Sequence, residues 1–165
     1  MEEIKIGITG SRYKRSITEF HNKNLHVIFL GFHGLHNFGT ANVSVHHGDC
    51  TGVDEYCHDL AIKYGMYTVA YPPKNKAYRA FTLNNEIKGE REYLERNKDI
   101  VNEVDLLLAV SATENATGRS GTWSTIRYAN KINKPVYVIL PSGKSIYNKE
   151  VSNLSETYKN ILGVT

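Results

Sequence analysis

The chain has 165 residues, 41% of them hydrophobic and 22% charged, the size and composition of one ordinary globular domain with a self-sufficient core. A formal net charge of +3 excludes the strongly basic balance of a dedicated polynucleotide binder. Two cysteines exclude a disulfide framework.

In chain order, "IKIGIT" (4–9) is predicted to be a first strand, followed by a helix over 16–32 with Ser16 as its N-cap. "NVSVHH" (42–47) reads as a second strand. Val53, Tyr56, Cys57, Leu60, Ala61 and Tyr64 then recur at i, i+3, i+4, i+7, i+8 and i+11, one buried stripe of a helix that Gly65 ends. "YTVAY" (67–71) is a third strand, stopped by Pro72 and Pro73. Residues 74–90 give no periodicity and read as a loop with a short helix. A helix over 90–104, a buried strand 105–110, a helix over 121–133 and a last strand 135–140 follow, and 142–165 is a C-terminal extension with a short helix carrying Leu154, Tyr158 and Ile161. Short apolar strands alternating with helices in one domain, 1–165, predict a Rossmann-like three-layer α/β/α fold with a mainly parallel sheet of about five strands. The start "MEEIKIGITG" lacks the basic region and apolar core of a signal peptide, and no apolar run approaches the ~20 residues of a membrane span. A cytoplasmic protein with no membrane partner is expected.

Such sheets bind ligands outside the carboxyl ends of their strands. After the first strand comes Gly10-Ser11-Arg12: a glycine for close backbone approach, a hydroxyl and a fixed cation. After the second comes "HGDCTGVD", where Gly48 and Gly52 bracket a turn whose amides, from Asp49 through Thr51 to Val53, open a helix N-terminus suited to an anion. Asp54 lies in that helix's first turn and suits either the dipole or a ribose hydroxyl. After the fourth predicted strand, Ser120, Gly121 and Thr122 open another helix and could cradle a phosphate.

These pieces, "GITGSR", "HHGDCTGVDEYCHDLAIKYG", "ERNKDIVNEVDLLLAV" and "SGTWSTIRYANKINKPVYVI", together resemble the SLOG superfamily over about residues 4–140. Its members include the lonely-guy phosphoribohydrolases, DNA-processing protein A and small standalone nucleotide-binding proteins. The resemblance implies a nucleotide-like ligand, with no separate cofactor or metal, across Gly10, Ser11, Arg12, the Gly48–Asp54 turn, Arg96 and Asn97, and Ser120, Gly121 and Thr122. It also implies a homodimer or higher homo-oligomer. Arg96 falls on the lonely-guy catalytic arginine. Asn97 and Ile100 replace that motif's lysine and methionine, and Thr125 stands where the catalytic glutamate would be. The end of the chain is similar to nucleoside deoxyribosyltransferases too, whose nucleophilic glutamate again falls at Thr125.

Three functions follow from these observations. The first is a binding module for a nucleotide derivative such as NAD, ADP-ribose or a nucleoside monophosphate, acting as a sensor or sequestering protein. The second is an N-glycosidase in which another carboxylate, Asp49, Asp54, Glu86, Glu90 or Glu95, replaces the glutamate. The third is a single-stranded DNA binder, in which Tyr78 and Phe81 stack bases while Lys74, Lys76 and Arg79 meet phosphates; a lid over a small-ligand pocket is the favoured role for that segment. His46, His47, Cys50, Cys57 and His58 lack zinc spacing, and His46 and His47 point to opposite faces of a strand. Cys50 is placed near a helix N-terminus, which lowers a thiol pKa. Trp123 suits either the core or a subunit interface.

Overall fold

The computed structural model describes residues 1–165. Strands β1 (Glu2–Gly10), β2 (Ala41–His47), β3 (Tyr67–Ala70), β4 (Glu86–Ile87), β5 (Leu106–Val110), β6 (Val136–Ile139) and β7 (Ser145–Tyr147) alternate with helices α1 (Glu19–Asn37), α2 (Val53–Lys63), α3 (Tyr93–Glu103), α4 (Gly121–Lys131), α5 (Lys149–Ser152) and α6 (Glu156–Leu162). The strands form one sheet in the order β4-β3-β2-β1-β5-β6-β7. All neighbours pair in parallel except β6 and β7. The chain walks outward from β1 to β4, then returns to the other side of β1 with β5. The strand order therefore reverses between β1 and β5, the place where parallel α/β sheets open a crevice.

The five predicted strands are present, and β4 and β7 add a short edge on each side. They have two and three residues, too few to show a period of two. Two helices start later than the sequence predicts. Thr18, not Ser16, caps α1: its hydroxyl accepts from the His21 amide at 3.1 Å while His21 Nδ1 accepts from the Thr18 amide at 3.0 Å. The Ser16 hydroxyl instead donates to the Tyr13 carbonyl at 2.7 Å, closing a 3-10 turn over Lys14–Ser16. Helix α3 starts at Tyr93 rather than residue 90, because the Arg91 backbone is occupied by Pro72 and Lys74.

Both sheet faces are buried, unequally. Ile4, Ile6 and Ile8 of β1, with Val43 and Val45, pack under α1, α2 and α6 in the larger cluster, where Cys57 sits as a small apolar side chain. Val101, Trp123, Ile126 and Ala129 of α3 and α4 cover Leu107, Ala109, Val136 and Val138 on the other face. Trp123 belongs to this core, and its Nε1 donates to Ser111 Oγ at 3.1 Å. Each such large apolar side chain contributes about 1.5–3 kcal/mol when fully buried.

Two glycines bring α2 against β1. A Cβ at Gly10 would lie 2.5 Å from the Val53 side chain, so only glycine lets the helix start sit directly on the strand end. Gly52, at φ 85°, holds a conformation that L side chains rarely adopt. The Val53 amide then donates to the Ser11 carbonyl at 2.9 Å, joining the two strand-end loops. Gly10→Ala is expected to cost about 1–3 kcal/mol, because Val53 must retreat from a packed position. Urea denaturation of the variant checks this; wild-type stability would contradict the contact.

Candidate functional site

At the reversal point, the loops after β1 and β5 and the start of α4 enclose an open cleft of ≈ 410 Å³. Gly10, Ser11 and Arg12 form one wall, and Ser120, Gly121 and Thr122 the other; Tyr13, Tyr93, Thr113 and Arg119 complete it. Ser120 caps α4 by accepting from the Trp123 amide at 3.3 Å. The amides of Gly121 and Thr122 bond to nothing in the chain and carry the positive end of the helix dipole. Two arginines and no carboxylate line the cleft. The arrangement suits an anion.

Arg12 is held by aromatic rings. Its guanidinium carbon lies 3.9 Å from the Tyr78 ring centre and 5.4 Å from that of Tyr13. Its backbone is pinned as well, with Thr51 Oγ1 donating to the Arg12 carbonyl at 2.8 Å. The Arg12 guanidinium in turn pulls the exposed Tyr13 phenol below its ordinary value. Tyr78 thus touches the cleft only through Arg12 and does not line it.

The other predicted residues form a buried frame behind this wall. Arg96 is 2% exposed. Its Nη1 donates to the carbonyls of Gly48 and, at 2.9 Å, Tyr71; Nε donates to Asn97 Oδ1 at 2.8 Å, and Nη2 points to Cys50 Sγ at 3.6 Å. Asp54 Oδ2 accepts from the Gly48 and Cys50 amides at 3.1 and 3.3 Å, while Oδ1 takes no hydrogen bond from the chain. Burial raises the Asp54 carboxyl to about 6, against the opposing pull of Arg96. Burial likewise pushes the Cys50 thiol up, so the lowering expected from its place near a helix start is reversed by desolvation.

Asp49, at φ 53°, faces away from the cleft. Its carboxylate accepts from Arg79 Nε at 2.9 Å and from the Thr82 hydroxyl and amide at 2.6 and 3.0 Å. This clasp straps residues 79–82 over the turn. It also removes Arg79, which bonds Glu90 as well, from the surface row of phosphate contacts expected of it. Lys74 pairs with Glu92 at 3.8 Å. Thr125 is buried and donates to the Gly121 carbonyl at 2.9 Å; it lines a separate small cavity between α3 and α4 with Asn97. No carboxylate occupies the position of the family glutamate.

The chain thus brings Gly10, Ser11, Arg12, Ser120, Gly121 and Thr122 to one cleft. Gly48, Asp49, Asp54 and Arg96 lie in the frame beneath it. Arg119 and Tyr93 also line the cleft, and neither is among the residues the sequence predicts there. Arg119 was legible as a cation immediately before the Ser120 cap. Tyr93 lies one turn before Arg96 on α3, its ring centre 4.8 Å from the guanidinium carbon and its ring against Gly121. Only the tertiary arrangement of α3 and α4 shows that it reaches the cleft.

The histidines of the second strand end are neutral structural groups. His46 bonds Ser44 Oγ at 2.9 Å and Tyr71 Oη at 2.9 Å; His47 Nε2 meets His58 Nδ1 at 3.1 Å and Asn84 Oδ1 at 2.9 Å. Burial lowers both from 6.5 to about 4. Between pH 6.5 and about 4 the unfolded chain gains a proton on each that the folded chain refuses. Asp54, raised from 3.8 to about 6, works in the opposite sense with one proton. His21 and His58, also lowered by burial, add to the same side as His46 and His47. The unfolded state therefore binds at least about one extra proton, and stability falls on acidification by roughly 1.4 kcal/mol or more per pH unit in this window. Urea denaturation at neutral pH and at about pH 5 measures it; equal stability at both would contradict the buried neutral histidines.

Fold and cleft define the class: a Rossmann-like α/β domain with an anion-suited crevice at its topological switch point. It shares the fold of the SLOG proteins that its motifs resemble. A molybdenum cofactor binding protein from Rippkaea orientalis superposes with a TM-score of 0.61 at 22% identity, covering 85% of this chain and 78% of that one. A molybdenum cofactor carrier protein from Chlamydomonas reinhardtii gives 0.59 at 17% identity, covering 97% and 85%. DNA processing protein A from Streptococcus pneumoniae gives 0.58 at 19% identity over 97% of this chain, which spans 56% of that protein. No protein-family model and no curated protein matches the sequence. No helix is long and apolar enough to cross a membrane.

Proposed function

We propose that the cleft binds a phosphorylated nucleotide-type small molecule, of the NAD, ADP-ribose or nucleoside monophosphate class, and holds it without cleaving it. The observation that carries this reading is the lining itself: Arg12, Arg119 and the two free amides of α4 around a cleft that contains no carboxylate. A phosphate on the Gly121 and Thr122 amides meets the helix dipole, and the arginines flank it with donors of matching geometry. Ser11 supplies a hydroxyl for a sugar, and Tyr93 lines the cleft with an aromatic ring. Hydrolysis of an N-glycosidic bond requires a carboxylate at the departing base. Thr125 supplies none; Asp49, Glu86, Glu90 and Glu95 are held in ion pairs, and Asp54 is buried outside the cleft lining, bonded to the Gly48 and Cys50 amides.

Thermal-shift assays against NAD, ADP-ribose, nucleoside monophosphates and cyclic nucleotides test the binding. A true ligand at about a hundred times its Kd adds roughly 2.7 kcal/mol to stability. A panel in which nothing stabilises the chain contradicts the reading. Chromatography after prolonged incubation with nucleoside monophosphates tests the second half, where free base in the mixture would overturn it.

A further inference from the structure

One residue belongs to both the cleft and the frame behind it. Tyr93 lines the cleft, and its ring centre lies 4.8 Å from the Arg96 guanidinium carbon. Behind the ring sit Arg96, Asp54 and Cys50, exposed by only 2, 7 and 6%. Arg96 Nη2 points at Cys50 Sγ. Burial raises the Tyr93 phenol, and the nearby acidic groups of Asp54 and Cys50 raise it further. Asp54 Oδ1 takes no bond from the chain, yet His21 Nε2 is the one fully enclosed side-chain atom without a partner. Oδ1 therefore keeps a contact with open space.

Tyr93 also stands where the anion is to sit. Side chains of a helix lean toward its N-terminus. A Cβ built on Gly121, the first residue of α4, would meet the Tyr93 hydroxyl at 2.9 Å and the ring edge at 3.0 Å. The phenol thus rests on the helix start, beside the free amides, in space that an anion on those amides needs. Its anchorage is modest. Tyr93 is the first residue of α3, is 39% exposed, and follows an N-cap, Glu92, that makes no side-chain capping bond. Its hold on Arg96 is a cation–π contact, weaker than the charge-assisted hydrogen bonds a phosphate makes at a helix start.

We propose that Tyr93 is a displaceable plug: a phosphate seated on α4 pushes the ring aside and opens the way from the cleft to Arg96, Asp54 and Cys50. The inference rests on the phosphate seat proposed above and adds a movement to it. In the plugged state the ring competes with the anion. In the open state the Cys50 thiol gains solvent while Arg96 stays beside it, and both favour the reactive thiolate.

Alkylation of the two thiols by iodoacetamide, located by mass spectrometry, reads the plug without any nucleotide. Both are buried in the wild type and should react slowly. Tyr93→Ala should speed Cys50 more than about tenfold, because no local opening need precede the reaction. Cys57, in the core, should stay inert and report an intact fold. Tyr93→Phe keeps the ring and should protect Cys50 as the wild type does. Gly121→Ala should expose Cys50 by a second route, its Cβ taking the place of the phenol. Inorganic phosphate, compared with chloride at equal ionic strength, should speed Cys50 in the wild type. It should also bind Tyr93→Ala several-fold more tightly, the reverse of what truncating an ordinary wall residue does. Equal Cys50 rates in wild type and Tyr93→Ala would overturn the plug, as would Cys57 reacting alongside Cys50. If phosphate stabilises the wild type yet leaves Cys50 slow, the seat stands and the plug fails. If phosphate does neither while Tyr93→Ala frees Cys50, the seat fails and its displacement of the ring with it.

Discussion

Arg96→Met should lower the stability of the chain by about 3–5 kcal/mol, a large part of the 5–15 kcal/mol typical of a domain. The substitution takes donors from the carbonyls of Gly48 and Tyr71 and removes the one cation that opposes the burial of Asp54. Asp54 would then lose the cation that opposes its burial, so its carboxyl either stays ionised at high cost or is pushed further up and takes up a proton. Adding Asp54→Asn should recover part of the loss, because the amide can still meet the turn without carrying charge. Urea denaturation of the single and double variants measures both effects. The family resemblance assigns Arg96 to the ligand, and the same experiment separates the two roles. Loss of an arginine of the frame lowers stability, whereas loss of one that served only the ligand would lower affinity and leave stability within about 1 kcal/mol of wild type.

The second large effect concerns affinity. Arg12→Ala and Arg119→Ala each remove a charge-assisted partner of the phosphate, worth about 1.5–3 kcal/mol, or roughly ten- to hundredfold in Kd. Together they should weaken binding about a thousandfold, since the two side chains reach the cleft from different loops and act almost independently. Stability should change little. Arg119 is exposed, and Arg12 loses only its stacking on Tyr78 and Tyr13, about 0.5–1 kcal/mol. Arg12→Lys should restore less than half of the lost affinity, because an ammonium is a point charge without the planar fork. Calorimetric titration with the best nucleotide of the panel checks all three. Unchanged affinity in the double variant would place the ligand elsewhere.

Much of this fold was open to a reader of the sequence. The stripe from Val53 to Tyr64 and the apolar runs at 4–9, 42–47 and 105–110 have the right period and the right punctuation, and each became the element they imply. The edge strands escaped because two or three residues carry no period. Residues 72–91 escaped because tertiary bonds order them: Asp49 to Thr82, Asp49 to Arg79 and the Arg91 backbone to Pro72 and Lys74. The same limit applies to the cleft. Glycine turns at strand ends announce where a ligand can sit, and Gly10-Ser11-Arg12 with Ser120-Gly121-Thr122 indeed share one crevice. Residue type alone does not say which polar group points into it. Asp49 and Arg96 are as conspicuous in sequence as Arg12, yet their bonds turn them inward; Tyr93 reaches the cleft unannounced, and Arg119 shows in the sequence only as a cation before the Ser120 cap.

The lining of the cleft calls for a phosphate seated between Arg12, Arg119 and the start of α4. The most direct test is to titrate the chain, in one calorimeter and one buffer, with each nucleotide of the panel and with its phosphate-free nucleoside. At least one phosphorylated compound should bind, and its nucleoside should bind more than about a thousandfold weaker, the loss expected when two charge-assisted partners and a helix N-terminus are left without their anion. A nucleoside that binds as tightly as its nucleotide would contradict the phosphate seat, and so would silence from every phosphorylated compound.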